Sequence, residues 1–151
     1  MNAIELLKKD HETVKSLLSK LMNTTERAIK TRAQLLEDIR TEVTIHNALE
    51  EEIFYPAFKQ AGKKDEAKMV YEAKEEHRAV TDLVLPDLLK TEPGSNEFAG
   101  RMKVLKELLE HHIDEEEDDM FKDAKKLMSD EQLKTLGEQM AARKLQLKKT
   151  G

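Results

Sequence analysis

Residues 42–56, EVTIHNALEEEIFYP, are typical of an amphipathic helix end, except that the apolar face is interrupted. Val43 and Ile53 lie on one face at helical spacing. The positions that continue this face between them hold His46 and Glu50. Because an imidazole and a carboxylate are costly to bury without partners, the interruption predicts a polar site inside the fold.

The composition is typical of a helical protein with charged outer faces. Charged residues make up 38% of the 151 residues and aromatic residues only 4%, with 5 Gly and 3 Pro. The length predicts a single domain, residues 1–151, with its own hydrophobic core. The net charge of -5 argues against a nucleic-acid partner, since no basic face dominates.

Cysteine is absent, which excludes disulfides, thiolate metal ligands and cysteine nucleophiles. No apolar run approaches the ~18 residues of a membrane span, and the first residues are charged, so neither a membrane segment nor a signal peptide is predicted. A cytoplasmic protein is therefore expected. The oligomeric state is left open.

Hydrophobic periodicity predicts four long helices. The first begins at Asn2, an N-cap with Glu5 at the capping-box position. The second begins near residues 27–32 and runs to Tyr55, where Pro56 ends or bends it. Phe54 and Tyr55 are expected to pack at this helix end.

The third and fourth helices are predicted at about 65–90 and 97–120, with the loop TEPGSN between them. Pro86 is expected to kink the last turn of the third helix. Four helices of ~30 Å with short connections predict an all-α fold, an antiparallel up-down-up-down four-helix bundle over about 2–122. A short additional C-terminal helix, about 129–147, starts at the N-cap Ser129.

Each predicted bundle helix has one histidine on its apolar face, and the second and fourth add a glutamate four residues later. The six residues are His11, His46, Glu50, His77, His112 and Glu116. A shift of 66 residues superimposes the first three on the last three. This regularity predicts a duplicated helix pair with a pseudo-twofold axis.

Two related half-sites predict two metal ions, each held by two imidazoles, with Glu50 and Glu116 bridging them. Imidazole and carboxylate without thiolate suit iron, manganese or zinc. His111 breaks the repeat by one residue and lies about 100° away from the apolar face. It is interpreted as exposed or as a neighbour of the ligands. The acidic runs around the two glutamates are interpreted mainly as solvated faces.

A ferritin-like di-iron bundle is the nearest alternative, and it carries Glu-x-x-His pairs. The residues three positions before the five histidines are Lys8, Val43, Lys74, Leu108 and Leu109. The ferritin-like motif is therefore absent.

Four segments are similar to the hemerythrin-like HHE cation-binding family, in its bacterial four-His, two-Glu form. They are KKDHETV, IHNALEEEIFYPAF, EEHRAVTDL and LEHHIDEEEDDMF, and LGEQMAARK resembles the usual closing helix. The resemblance implies a non-haem di-iron centre with an oxide or hydroxide bridge, in which the six residues above are the ligands. Zinc or manganese are expected substitutes.

Oxygen-carrying hemerythrins have a fifth histidine ligand on the third helix, where this chain has Ala73. One iron should therefore lack a ligand, and the repeat predicts a similar opening at the other. The resemblance implies catalase-like decomposition of hydrogen peroxide in oxidative or nitrosative stress. Reversible binding or sensing of O2 or nitric oxide, and iron holding without turnover, remain alternatives.

Overall fold

The computed structural model describes residues 1–150, and this part of the chain contains helices and no strand. The eight α-helices are α1 Ala3–Met22, α2 Ile29–Leu49, α3 Tyr55–Ala61, α4 Lys64–Arg78, α5 Leu85–Leu89, α6 Asn96–Glu115, α7 Phe121–Leu127 and α8 Asp130–Thr150. Three π-helical segments, Glu50–Phe54, Ala79–Val84 and Glu116–Met120, join α2 to α3, α4 to α5 and α6 to α7. The result is four long bundle helices, which span residues 3–22, 29–61, 64–89 and 96–127, followed by α8. The predicted all-α bundle with an additional C-terminal helix is confirmed.

The second bundle helix does not end at Tyr55, so of the two expectations at Pro56, an end or a bend, the end is wrong. The chain stays helical to Ala61. The Tyr55 amide donates to the carbonyl of Glu50, five residues back, which widens the turn immediately before the proline. Proline has no N–H to donate. Pro56 directly follows the π turn, in which the backbone hydrogen bonds already depart from the α-helical pattern, so the helix continues past it.

Side-chain caps fix where three of the helices begin. The Glu5 amide donates to Asn2 Oδ1 at 2.8 Å, and the Asn2 amide donates to the Glu5 carboxylate at 2.9 Å. Ser129 and Gln132 make the same reciprocal pair before α8. Ser95 accepts from the Phe98 amide at the start of α6. The capping boxes predicted at Asn2 and Ser129 are thus present.

The core consists of two apolar clusters, and the four buried histidines lie between them along every bundle helix. One cluster contains Leu7, Phe54, Phe58 and Phe121, together with side chains from α8. The other cluster extends towards the opposite end of the bundle and contains Phe98. The polar site therefore has an apolar layer on each side.

The C-terminal helix α8 packs against α1 and α2. It approaches the chain start closely at Gly137, where an added Cβ would lie 2.3 Å from the carbonyl oxygen of Met1 and 2.8 Å from the Ala3 nitrogen. Glycine at this position is what allows the two backbones to touch. No helix within residues 1–150 is long and apolar enough to cross a membrane.

Gly137→Ala is expected to destabilise the protein by about 1–3 kcal/mol, because the new methyl group meets backbone that cannot move aside cheaply. Gly100→Ala is the matched control. A Cβ at Gly100 meets nothing within 4 Å, so this change should stabilise the helix by about 0.5–1 kcal/mol. Urea denaturation of both variants measures the difference. Equal changes in the free energy of unfolding of the two variants would show that the packing of α8 does not depend on its close approach to the chain start.

Candidate metal centre

All six predicted site residues meet in the middle of the bundle, and all are buried. His11, His46, Glu50 and Glu116 form one group, and Glu50, His77, His112 and Glu116 form the other. Within each group, one ligand atom per residue lies within 4.8 Å of the others. The two glutamates belong to both groups, which is the arrangement that the repeat predicts for two bridged ions.

The Nε2 atoms of the histidines face the shared carboxylates. His11 Nε2 lies 3.0 Å from Glu116 Oε1, and His77 Nε2 lies 3.0 Å from Glu50 Oε1. His112 Nε2 lies 3.5 Å from Glu116 Oε2 and 3.2 Å from His77 Nε2. Four ring nitrogens and two carboxylates thus converge on one small volume.

Glu50 and Glu116 are each the first residue of a π-helical segment. The extra residue in a π turn changes the direction of the side chains that follow, and such turns are frequent at functional sites. The two segments are 66 residues apart, so these two backbone irregularities follow the same repeat as the ligands.

The Nδ1 atom of each histidine contacts a further carboxylate. The pairs are His11 with Glu117 at 2.7 Å, His46 with Asp10 at 2.9 Å, His77 with Glu51 at 2.8 Å and His112 with Glu76 at 2.6 Å. An Nδ1–H that donates to a carboxylate leaves the Nε2 lone pair free to point inward. It also fixes the ring orientation, as in many metal sites.

Sequence reasoning missed the orienting role of these four carboxylates. It assigned the acidic runs around Glu50 and Glu116 mainly to solvent, and it gave Asp10 and Glu76 no role. The 66-residue repeat contained a signal that could have identified all four. The 66-residue shift that relates the ligands also carries Asp10 onto Glu76 and Glu51 onto Glu117. The acidic residues beside the ligands therefore belong to the site.

The chemistry of the site fits divalent or trivalent cations. His46 Nε2 and Glu50 Oε2 are buried and have no hydrogen-bond partner, and such orphaned atoms are costly unless something binds them. Burial lowers the pKa of His46, but the charge of Glu50 and the hydrogen bond to Asp10 outweigh burial and raise this pKa to about 10. Protons thus take the place of cations when no metal is bound.

Tyr55 is a further site residue, although the sequence predicts only that it packs at a helix end. Its hydroxyl donates to Glu116 Oε2 at 2.5 Å and lies 3.2 Å from His77 Nε2. Burial, together with the charges of Glu50 and Glu116, raises the pKa of Tyr55 well above its usual value. The phenol therefore keeps its proton and acts as a hydrogen-bond donor.

His111 lies outside the group of six. Its side chain is 63% exposed and pairs with Glu115 at 2.9 Å. The His111 Nε2 atom lies farther from Glu76, at 3.7 Å from its Oε2 atom. This exposed position agrees with the interpretation of His111 as a residue that does not point into the core.

A groove of about 190 Å³ leads from the surface between the third and fourth bundle helices to the site. Exposed Glu72 and Asp119 line it, as do the buried residues Ala73 and Glu116. A separate cavity of about 20 Å³ borders all four buried histidines. The centre is thus enclosed, and this groove gives it a polar approach.

Comparison with known proteins agrees with this geometry. Residues 2–124 match the model of the hemerythrin HHE cation-binding domain. The chain is 33% identical over 153 residues to the uncharacterized protein Rv2633c of Mycobacterium tuberculosis and to the uncharacterized protein Mb2666c of Mycobacterium bovis. Each alignment covers 98% of this chain and 88% of the relative.

The crystal structure of a hemerythrin HHE cation-binding domain-containing protein from Mycobacterium kansasii, a homolog of Rv2633c, has the same fold. It superimposes with a TM-score of 0.85 and 33% identity over 99% of this chain and 89% of that protein. The fold and the site define a helical bundle with a buried His/Glu cluster that is capable of binding metal. This chain belongs to the hemerythrin HHE cation-binding family.

Replacing His112 with Ala is expected to remove much of the bound metal, because its Nε2 lies 3.5 Å from Glu116 and 3.9 Å from Glu50 inside the cluster. His111→Ala is the matched control on the neighbouring residue and should retain its metal. Elemental analysis of both purified variants, with circular dichroism to verify the fold, measures the effect. Equal metal loss in two folded variants would contradict the assignment.

Removing the metal should lower the melting temperature, since an ion that binds only the folded state stabilises that state. The decrease in melting temperature on metal removal should be larger at higher pH. A histidine whose pKa is raised by folding stabilises fully below its unfolded value of 6.5, and this contribution disappears as pH rises towards about 10. The metal-free protein should therefore melt several degrees lower at pH 9 than at pH 6.5. A thermal scan of loaded and stripped protein across this range tests both points, and a flat profile for the stripped protein would contradict them.

Proposed function

We propose that this protein holds two iron ions between its six buried ligands and decomposes hydrogen peroxide, as part of a response to oxidative or nitrosative stress. The observation that carries the proposal is the open side of the centre at Ala73. This residue lies on the same helix face as His77, one turn earlier, and it borders the groove that reaches Glu116. A methyl group cannot bind a metal ion, so space for a small molecule remains there.

The ligand set supports iron. Four imidazoles and two carboxylates without thiolate suit iron, and zinc or manganese are the expected substitutes. When bound, a pair of iron ions supplies two-electron redox chemistry. One H2O2 is then oxidised to O2 with loss of two protons, and a second H2O2 takes up two electrons and two protons to give two H2O.

The residues of the chain hold, orient and enclose this chemistry. Carboxylates on every Nδ1 keep the imidazoles in one orientation. The two apolar clusters exclude bulk water above and below the site. The groove at Ala73 admits a molecule of the size of peroxide. The absence of cysteine is in keeping with a cytoplasmic location.

The test is evolution of O2 after addition of hydrogen peroxide to protein that contains two iron ions, with an oxygen electrode. Metal analysis and an absorption spectrum establish the loading first, and the metal-free protein is the control. A fully loaded protein that evolves no O2 would overturn the proposal. A reversible, O2-dependent absorption change in the reduced protein would then favour O2 binding as the function.

Ala73→His is expected to lower peroxide turnover by about tenfold or more, because an imidazole at this position fills the open side next to His77. The variant should retain two iron ions and its fold. Ala141→His, on the exposed face of α8, is the control for an added histidine. Unchanged turnover in a fully loaded Ala73→His variant would show that the open side is not where peroxide reacts.

A further inference from the structure

The C-terminal helix α8 lies over one half of the metal centre, on the face that the 66-residue repeat relates to the groove in the other half. Each of the eight residues that line the groove has a counterpart 66 residues earlier. These counterparts are Ala3, Leu6, Leu7, Asp10, Leu49, Glu50, Ile53 and Phe54. They belong to α1, α2 and the π segment after α2, which are the elements that α8 packs against. The groove and the face under α8 are therefore equivalent faces of the two halves.

The covered face is apolar where the open face is acidic. Three pairs of equivalent residues differ in this way, namely Leu6 and Glu72, Leu49 and Glu115, and Ile53 and Asp119. The apolar members pack in one cluster with Leu133 and Met140 of α8. Carboxylates that line a cleft instead raise the local concentration of cations. One face is thus built to hold a helix, and the other is suited to admit metal ions.

The cover also contacts the residues that orient a ligand. Lys144 of α8 donates to Asp10 Oδ1 at 2.5 Å, and Asp10 Oδ2 accepts from His46 Nδ1 at 2.9 Å. The Asp10 side chain is 4% exposed, whereas that of its equivalent, Glu76, is 21% exposed in the groove. Lys144 is therefore a positioning residue, which acts on the His46 ring through Asp10.

The covered position is defined here as the metal position held by His11 and His46, and the open position as the one held by His77 and His112. We propose that α8, through Lys144, slows the exchange of metal at the covered position, whereas the open position exchanges with solution through the groove. This inference rests on the proposed function for the presence of two ions. It concerns how the centre gains and loses metal and is independent of any reaction with peroxide.

The physical reason is that an ion leaves only when its ligands turn away and water replaces them. At the covered position, the ring of His46 is held by a buried carboxylate whose second oxygen is itself held by Lys144. The apolar contacts of α8 exclude water from the same face. At the open position, the carboxylates of the groove lie beside the ligands and are accessible from solution.

Release of ferrous iron to an excess of a colour-forming chelator, in the absence of oxygen, tests the proposal. The doubly loaded wild-type protein should lose one ion in a fast phase and one in a slow phase. Lys144→Met should speed the slow phase about tenfold, the effect of losing one hydrogen bond between charged groups. The fast phase should not change. A general loss of stability would instead speed both phases.

Arg143→Met is the matched control, because Arg143 is the neighbouring cation on α8 and pairs with exposed Glu52 at 3.0 Å. It should leave both phases unchanged. Release of both ions in a single phase by the wild-type protein would overturn the inference. Equal acceleration of both phases in Lys144→Met, or the same change in Arg143→Met as in Lys144→Met, would also overturn it.

If Lys144→Met does not load two ions, hydrogen exchange of the wild-type protein decides the matter. Coupling is reciprocal, so an ion that α8 retains must in turn stabilise α8. Protein that has lost only the fast ion should keep the amides of α8 protected, and loss of the second ion should speed their exchange. Loss of this protection with the fast ion, or no change on loss of either ion, would overturn the inference.

These outcomes are separable from failure of the proposed function. Two-phase release with the expected effect of Lys144→Met, but no O2 evolution from peroxide, would overturn peroxide decomposition and leave the inference standing. Peroxide turnover by a protein whose two ions leave at the same rate would do the reverse. A protein that never binds more than one ion would overturn both.

Discussion

Six ionisable side chains buried in the centre of a helical bundle are the constraint on which the rest of this structure depends. Unpaired buried carboxylates and imidazoles cost far more than the apolar residues that the same positions would otherwise hold. The chain meets this cost in two ways. Each imidazole has a carboxylate on its outer nitrogen, and the inner nitrogens and carboxylates form two cation-sized groups. Orphaned atoms at His46 and Glu50 show that the side chains alone do not complete the arrangement.

The backbone is adapted to the same constraint. Regular helices would continue past Glu50 and Glu116 with α-helical hydrogen bonds, but both residues open π segments instead. Such a segment adds one residue to a turn and shifts everything after it relative to the partner helices. It therefore brings Tyr55 and Phe121, each five residues after a glutamate that both groups share, over His77 and His11. The irregular turns are part of how the site is built.

Helical periodicity made the fold and the six central residues predictable, because the histidines and glutamates stood at positions where an apolar face was required. Other features depended on local backbone geometry, which helical periodicity does not predict. The extension of the second helix beyond Pro56 follows from a π turn, which has no simple sequence signal. The inward direction of Tyr55 follows from the same turn. The orienting carboxylates were detectable in the repeat, but Glu51 and Glu117 lie in acidic runs that most helices would expose, and Asp10 follows two lysines.

The C-terminal helix also takes part in the site, although the match to the family model ends at residue 124. Lys144 donates to one oxygen of Asp10 at 2.5 Å, while the other oxygen of Asp10 accepts from His46 at 2.9 Å. These partners hold the pKa of the Asp10 carboxyl below its usual value in spite of burial. The related carboxylate Glu76 instead faces exposed His111 at 3.7 Å. Duplication thus explains how two similar cation positions arise. The residues that depart from it, Lys144 on α8 beside Asp10 and Tyr55 beside His77, give the two groups of buried ligand residues different surroundings.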